Sequence, residues 1–142
     1  LVSITGSCVV VQPWASIVIG FVGGLVYFVN SYIVLHKLKI DDPLDSFSVH
    51  GACGIWGVLA GAFFCDPKYT YARGGGVIYG ETNLMCAALI FILSNICWTG
   101  GLSLILFKTM KRVKILRISQ IDEIQGLDMS KHTVVLHSNN SV

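Results

Sequence analysis

The sequence predicts an all-α fold, a polytopic membrane helical bundle. Three observations predict it. Hydrophobic residues make up 54% of the chain and charged residues 13%, and mean hydropathy is +0.70, far from the averages of soluble domains. Three apolar stretches are each long enough to cross a hydrocarbon core of about 30 Å as a helix. The charges gather between those stretches and after the last of them. This divides the chain into a membrane part, residues 1–107, with spans near 14–35, 43–64 and 84–107, and a tail, residues 108–142.

Residues 1–12 are apolar, contain Gly6 and stop at Pro13, the pattern of a helix end followed by a turn. Leu1 is not a start methionine and no basic segment precedes it, so no cleavable signal is expected and the chain reads as a fragment. The five cysteines sit mostly in or beside apolar runs, which suits small buried hydrophobes better than a disulfide framework. Cys8 and Cys65 fit one membrane face, which leaves a bridge between them open.

Residues 14–35 hold no charge and would span roughly 33 Å as a helix. Gly20, Gly23 and Gly24 mark a packed face; Tyr27, Asn30 and Ser31 are expected to hydrogen-bond to another helix. The second span begins with a start signal. Asp42 is a good N-cap, Pro43 fits the first helical position, and Asp45 at N3 resembles a capping box. The span carries one ionisable residue, His50. At about 100° per residue, His50, Gly54, Gly57 and Gly61 share one narrow face, with Ile55, Trp56, Leu59 and Phe63 opposite. Such a ridge suits a close helix–helix contact or a narrow lumen that admits a small solute. An ionisable group within a span favours a pathway or a partner.

The stretch 65–83 is the longest expected loop, with turn signals at Asp66-Pro67 and Gly74-Gly75-Gly76. Tyr69, Tyr71 and Tyr79 fit an interfacial belt. The triple glycine is no phosphate loop, because no Lys-Ser/Thr follows it and no strand precedes it. Residues 84–107 again lack charge, and Asn95 is expected to donate between helices. Lys108, Lys111, Arg112, Lys114 and Arg117 then mark the cytoplasmic side. That places the C-terminus inside, loop 65–83 outside and loop 37–42 inside. Ser119 and Asp122 suggest a capped short helix closed by Gly126, and disorder is expected from Thr133.

Four separated segments resemble the ammonium transporter family (Amt/Mep/Rh), nearest its plant-type Amt branch. Leu1–Cys8, LVSITGSC, resembles the turn before the family's ninth helix. Asp41–Gly57, DDPLDSFSVHGACGIWG, resembles the signature of the tenth. Gly75–Gly80, GGVIYG, resembles the outer loop that follows, and Leu116–His132, LRISQIDEIQGLDMSKH, the cytosolic tail. The resemblance implies the last three of eleven helices in a homotrimer, or a heterotrimer with paralogues, each subunit enclosing its own narrow apolar pore. His50 matches the second of two stacked pore histidines. The first histidine, the phenylalanine gate and the outer recruitment site belong to helices outside this chain. Two positions depart from the plant-type pattern: Gln12 stands where an acidic residue is common, and Thr133 where glycines follow the tail histidine.

What the resemblance implies for His50 is chemically coherent. An apolar lumen favours the neutral imidazole, which donates from one nitrogen and accepts at the other. That suits a hydrogen-bonding relay for ammonia, whereas a bare ammonium ion would be heavily penalised. The expected function is thus transport of ammonium or ammonia across a lipid bilayer, in a multi-pass plasma-membrane protein, without enzymatic activity, cofactor, metal or nucleic-acid partner. The resemblance also implies that the tail lies under the trimer against a neighbouring subunit, so that Gly126 and Ser130 become candidate regulatory positions. Two rival readings remain. One is a metal- or haem-binding membrane enzyme using His50 with Cys53, for which no second ligand pair appears at matching spacing. The other is a structural module in which the glycines only pack.

Overall fold

The computed structural model describes residues 1–70 and 74–117. Among them every regular element is helical: a short α1 (Val2–Thr5), α2 (Pro13–Tyr32), α3 (Cys53–Phe64), a 3-10 turn at Val77–Tyr79, and α4 (Asn83–Arg112). Two wide π-type turns extend this set. Ile33–Lys37 prolongs α2, and Phe47–Ala52 leads into α3. With those turns, Pro13–Lys37, Phe47–Phe64 and Asn83–Arg112 are each long and apolar enough to cross a membrane. The chain forms two compact units, residues 1–96 and 97–142, the division falling within α4.

In the first unit, α2 and α3 run antiparallel with α1 against both. Pro13 opens α2 at a position where its missing N–H costs nothing. Val11, Ala15, Ile19 and Ala60 form a buried centre, packed by Ile4, Val10, Trp56 and Phe64. Polar contacts tie α2 to the α3 side along their length. Trp56 Nε1 donates to the Ile19 carbonyl at 3.0 Å, Cys53 Sγ to the Gly23 carbonyl at 3.4 Å, and Ser48 Oγ to Asn30 Oδ1 at 3.1 Å. Such bonds hold helices together where lipid offers no hydrophobic drive between them. Asn95 donates to the Phe91 carbonyl of its own helix.

Two expectations are corrected here. The second span does not begin at Pro43. Asp45 adopts φ 51°, a left-handed conformation that no right-handed helix accommodates, and Pro43-Leu44 is a turn closed by the Asp45 N–H on the Asp42 carbonyl (3.0 Å). Asp is among the few residues that tolerate this conformation. Trp56 does not lie away from the packed face, because its indole is anchored on α2. The π turn widens the helix upstream of α3, so a uniform wheel carries His50 out of register with the residues after it. Of the two readings left open for Cys8 and Cys65, the structure has the unbridged one: both are free thiols, one exposed and one buried.

The triple glycine has a packing reason. The Gly76 N–H donates to the Cys65 carbonyl at 2.7 Å, and a Cβ at Gly76 would lie 2.5 Å from the Phe63 carbonyl oxygen. Only glycine lets the loop fold back onto the end of α3 this closely. In α4, Lys111 and Arg112 occupy the last turn, where cations complement the helix dipole. The helix thus extends beyond residue 107.

Candidate functional site

His50 sits in the π turn Phe47–Ala52, where the Cys53 N–H reaches back to the Ser48 carbonyl. Single π turns within helices are rare and concentrate at functional positions. Two carboxylates fix the start of this turn. Asp42 accepts from the Ser46 N–H at 3.0 Å and the Phe47 N–H at 2.8 Å. Those two backbone donors, Phe47 first, hold its carboxyl below the usual carboxylate range. Asp45 is not part of a capping box. Its two oxygens accept from Tyr27 Oη and Ser31 Oγ of α2, both at 2.8 Å. Asp42 therefore organises the turn locally, and Asp45 ties it to the neighbouring helix.

The face predicted to join His50 with three glycines divides in two. His50 is exposed, and a Cβ at Gly54 would meet nothing within 4 Å. Gly57 is buried: a Cβ there would lie 2.6 Å from the Ser3 carbonyl oxygen, and one at Gly61 would lie 3.1 Å from Ser7 Cβ. Ser3 also blocks any side chain at Gly23 of α2, and its hydroxyl donates to the Cys53 carbonyl at 3.3 Å. Gly57 and Gly61 line an apolar groove of ≈400 Å³ with Gly6, Val10, Ala88 and Phe91; His50 and Gly54 are not part of it. Gly57 and Gly61 thus serve close packing, and Gly54 accompanies an open histidine.

Cys53 is buried with its thiol on the Gly23 carbonyl, whereas His50 is exposed, so the two do not share one environment. Among the described residues no group of three or more His, Cys, Asp or Glu side chains is placed to hold a metal. Gly126 and Ser130 lie outside the described residues, as do Ser119, Asp122 and Tyr71.

One cluster was not anticipated. Asp66, 5% exposed, accepts from the Gln12 side-chain amide, the Lys68 N–H at 2.9 Å and Tyr79 Oη at 3.1 Å. Trp14 Nε1 donates to Gln12 Oε1 at 3.0 Å. The Gln12 amide, then the Lys68 N–H, holds the Asp66 carboxyl below its ordinary range. Burial, then the adjacent Asp66, pushes the Tyr79 phenol up. This explains Gln12: a carboxylate there could not donate to Asp66 and would repel it. The sequence signal was the pairing of a turn aspartate with a polar residue just before Pro13-Trp14.

Three membrane-length helices, with an exposed histidine at a π turn and neighbouring glycines that admit close helix contact, define a polytopic helical membrane protein. Comparison with known proteins makes this specific: residues 1–135 match the Ammonium Transporter Family, and the chain belongs to it. It is 40% identical over 141 residues to ammonium transporter 3 of Dictyostelium discoideum, covering 93% of this chain and 32% of that protein. It is 40% identical over 138 residues to ammonium transporter 1 member 1 of Arabidopsis thaliana, covering 92% and 27%. With ammonium transporter Amt2 of Archaeoglobus fulgidus it shares 36% identity over 144 residues, covering 98% and 31%. The chain spans about a third of the length of the relatives it matches.

The Asp45 contacts generate a prediction for the full-length protein. Asp45→Asn tolerates the left-handed backbone but loses the charge, and should lower the unfolding midpoint in detergent by a few degrees. Asp45→Ala loses both acceptors and adds strain at positive φ, and should lower it about twice as far. An unchanged midpoint for Asp45→Ala would show that these contacts hold nothing.

Proposed function

We propose that the complete protein transports ammonium or ammonia across a membrane through a narrow apolar pore, with His50 facing the substrate. The observation that carries this reading is the exposed His50 beside the unobstructed Gly54, in a chain that matches the family over residues 1–135. The described residues leave His50 without walls on its open side; in the complete pore, further helices would supply them. A neutral imidazole there offers one donor and one acceptor, enough to pass ammonia along while ammonium sheds its proton at the mouth. Asp45 and Asp42 act as positioning residues that fix the turn bearing His50. The same reading has the protein work as a trimer in the plasma membrane, with its C-terminus in the cytoplasm.

Two tests follow from this proposal. In the full-length protein, His50→Ala should reduce methylammonium uptake to near background and leave assembly intact; uptake at the wild-type level would remove the relay. The tail reading is tested separately. Gly126→Val should lower uptake by undocking the tail, Ser130→Asp should do so more weakly by adding charge, and Gly126→Val subunits should inhibit co-expressed wild-type partners. Transport in simple proportion to wild-type content would exclude coupling through the tail.

A further inference from the structure

The π turn that carries His50 is bracketed by two buried polar side chains, both bonded to α2. Ser48, fully buried, donates to Asn30 Oδ1 at 3.1 Å. Cys53, also buried, donates to the Gly23 carbonyl at 3.4 Å. On a uniform α-helix, residues five apart lie about 140° apart and point to different sides. Here the Cys53 N–H bonds to the Ser48 carbonyl, and that five-residue bond brings both side chains round to one face. His50 lies between them, two residues after Ser48 and three before Cys53, and falls on the other, exposed side.

Ser48 holds this turn twice. Its carbonyl accepts the bond that makes the turn wide, and its hydroxyl fixes the same residue to α2. Asp42 and Asp45 fix the start of the turn, whereas Ser48 is bonded inside it. Without the hydroxyl bond the turn can relax toward ordinary α-helical spacing, which rotates His50 relative to the residues that follow.

We propose that Ser48 and Asn30 are positioning residues for His50: their hydrogen bond keeps the π turn open and so aims the imidazole at the path of the substrate. This rests on the reading of His50 as the substrate-facing group, and adds to it the pair that sets its direction. Ser48 is closed off from the open side by its burial, so it acts through His50. A single side-chain bond between helices in lipid adds little to their association. Its loss is therefore read in the direction of His50 more than in stability.

The test compares the full-length protein with Ser48→Ala, Asn30→Ala and Trp56→Phe. The last removes another bond to α2, from Trp56 Nε1 to the Ile19 carbonyl, but outside the π turn, and so controls for packing alone. Two readouts are taken: methylammonium uptake, and the ring-nitrogen NMR signals of His50, assigned by their loss in His50→Ala. In Ser48→Ala and Asn30→Ala the ring signals should move or split. The maximal uptake rate should fall about three- to tenfold, the factor that one hydrogen bond amounts to, with the half-saturating concentration unchanged. Ser48→Cys, similar in shape and a weaker donor, should fall between wild type and Ser48→Ala. The double variant should be no worse than either single, because both remove the same bond. Trp56→Phe should lower the unfolding midpoint and keep the ring signals and the maximal rate. Wild-type ring signals in Ser48→Ala and Asn30→Ala, or an equal displacement in Trp56→Phe, would overturn the proposal. The reading of His50 itself fails differently, through wild-type uptake by His50→Ala while the ring signals of the Ser48 and Asn30 variants still move.

Discussion

Ser3 sits where three helices meet, and the arrangement of the first unit depends on how closely they approach there. Its side chain occupies the space that a Cβ at Gly23 would need, and its carbonyl oxygen occupies the space of a Cβ at Gly57. Its hydroxyl donates to the Cys53 carbonyl. In a lipid solvent, helices gain little from burying apolar surface against each other, so dispersion contacts and such buried hydrogen bonds set the packing. With glycine on both α2 and α3, α1 comes close enough for those contacts to form. Ser7 against Gly61 repeats the device one turn along. The close approach on this side fixes the rotation of α3 and leaves Gly54, and with it His50, on the open side.

Much of this was legible in the sequence. Uncharged runs of membrane length announce helices whatever they pack against, although the last helix runs on through Lys108, Lys111 and Arg112 rather than stopping before the basic residues. The division of the glycine face was not legible. A wheel assumes a uniform turn, and the π turn at Phe47–Ala52 breaks that assumption between His50 and the glycines. Nor does a wheel distinguish a glycine that faces a serine from one that faces open space. Asp45 was misread for a related reason. Its position three residues after Asp42 suits a capping box, but Pro43-Leu44 forms a turn, and the carboxylate finds two hydroxyl donors on α2 instead. Tyr27 and Ser31 were expected to bond between helices; that their partner is Asp45 depends on the antiparallel pairing of α2 with α3.

The end of α3 at Asp66 shows the same logic in polar form. Asp66 is buried at the end of α3 because Gln12, Tyr79 and the Lys68 N–H together satisfy its oxygens, and an unpaired carboxylate there would be costly. Its N–H in turn donates to the Val10 carbonyl at 2.8 Å, so the loop is tied to the start of α2 through both backbone and side chain. Gly76 lets the chain fold back over the same helix end. Polar clamps at Asp45 and Asp66 thus hold opposite ends of the α2–α3 pair, and the Ser3 junction holds its middle.

The central claim is that Gly57 is occupied by α1 while Gly54 faces open space beside His50. Unfolding midpoints of full-length Gly54→Ala and Gly57→Ala test it most directly, since the two substitutions add the same methyl to the same helix. The account predicts that Gly54→Ala is at or above wild type, as alanine favours helix, and that Gly57→Ala is destabilised by about 1–3 kcal/mol through overpacking against Ser3. Equal effects, or greater damage from Gly54→Ala, would contradict it.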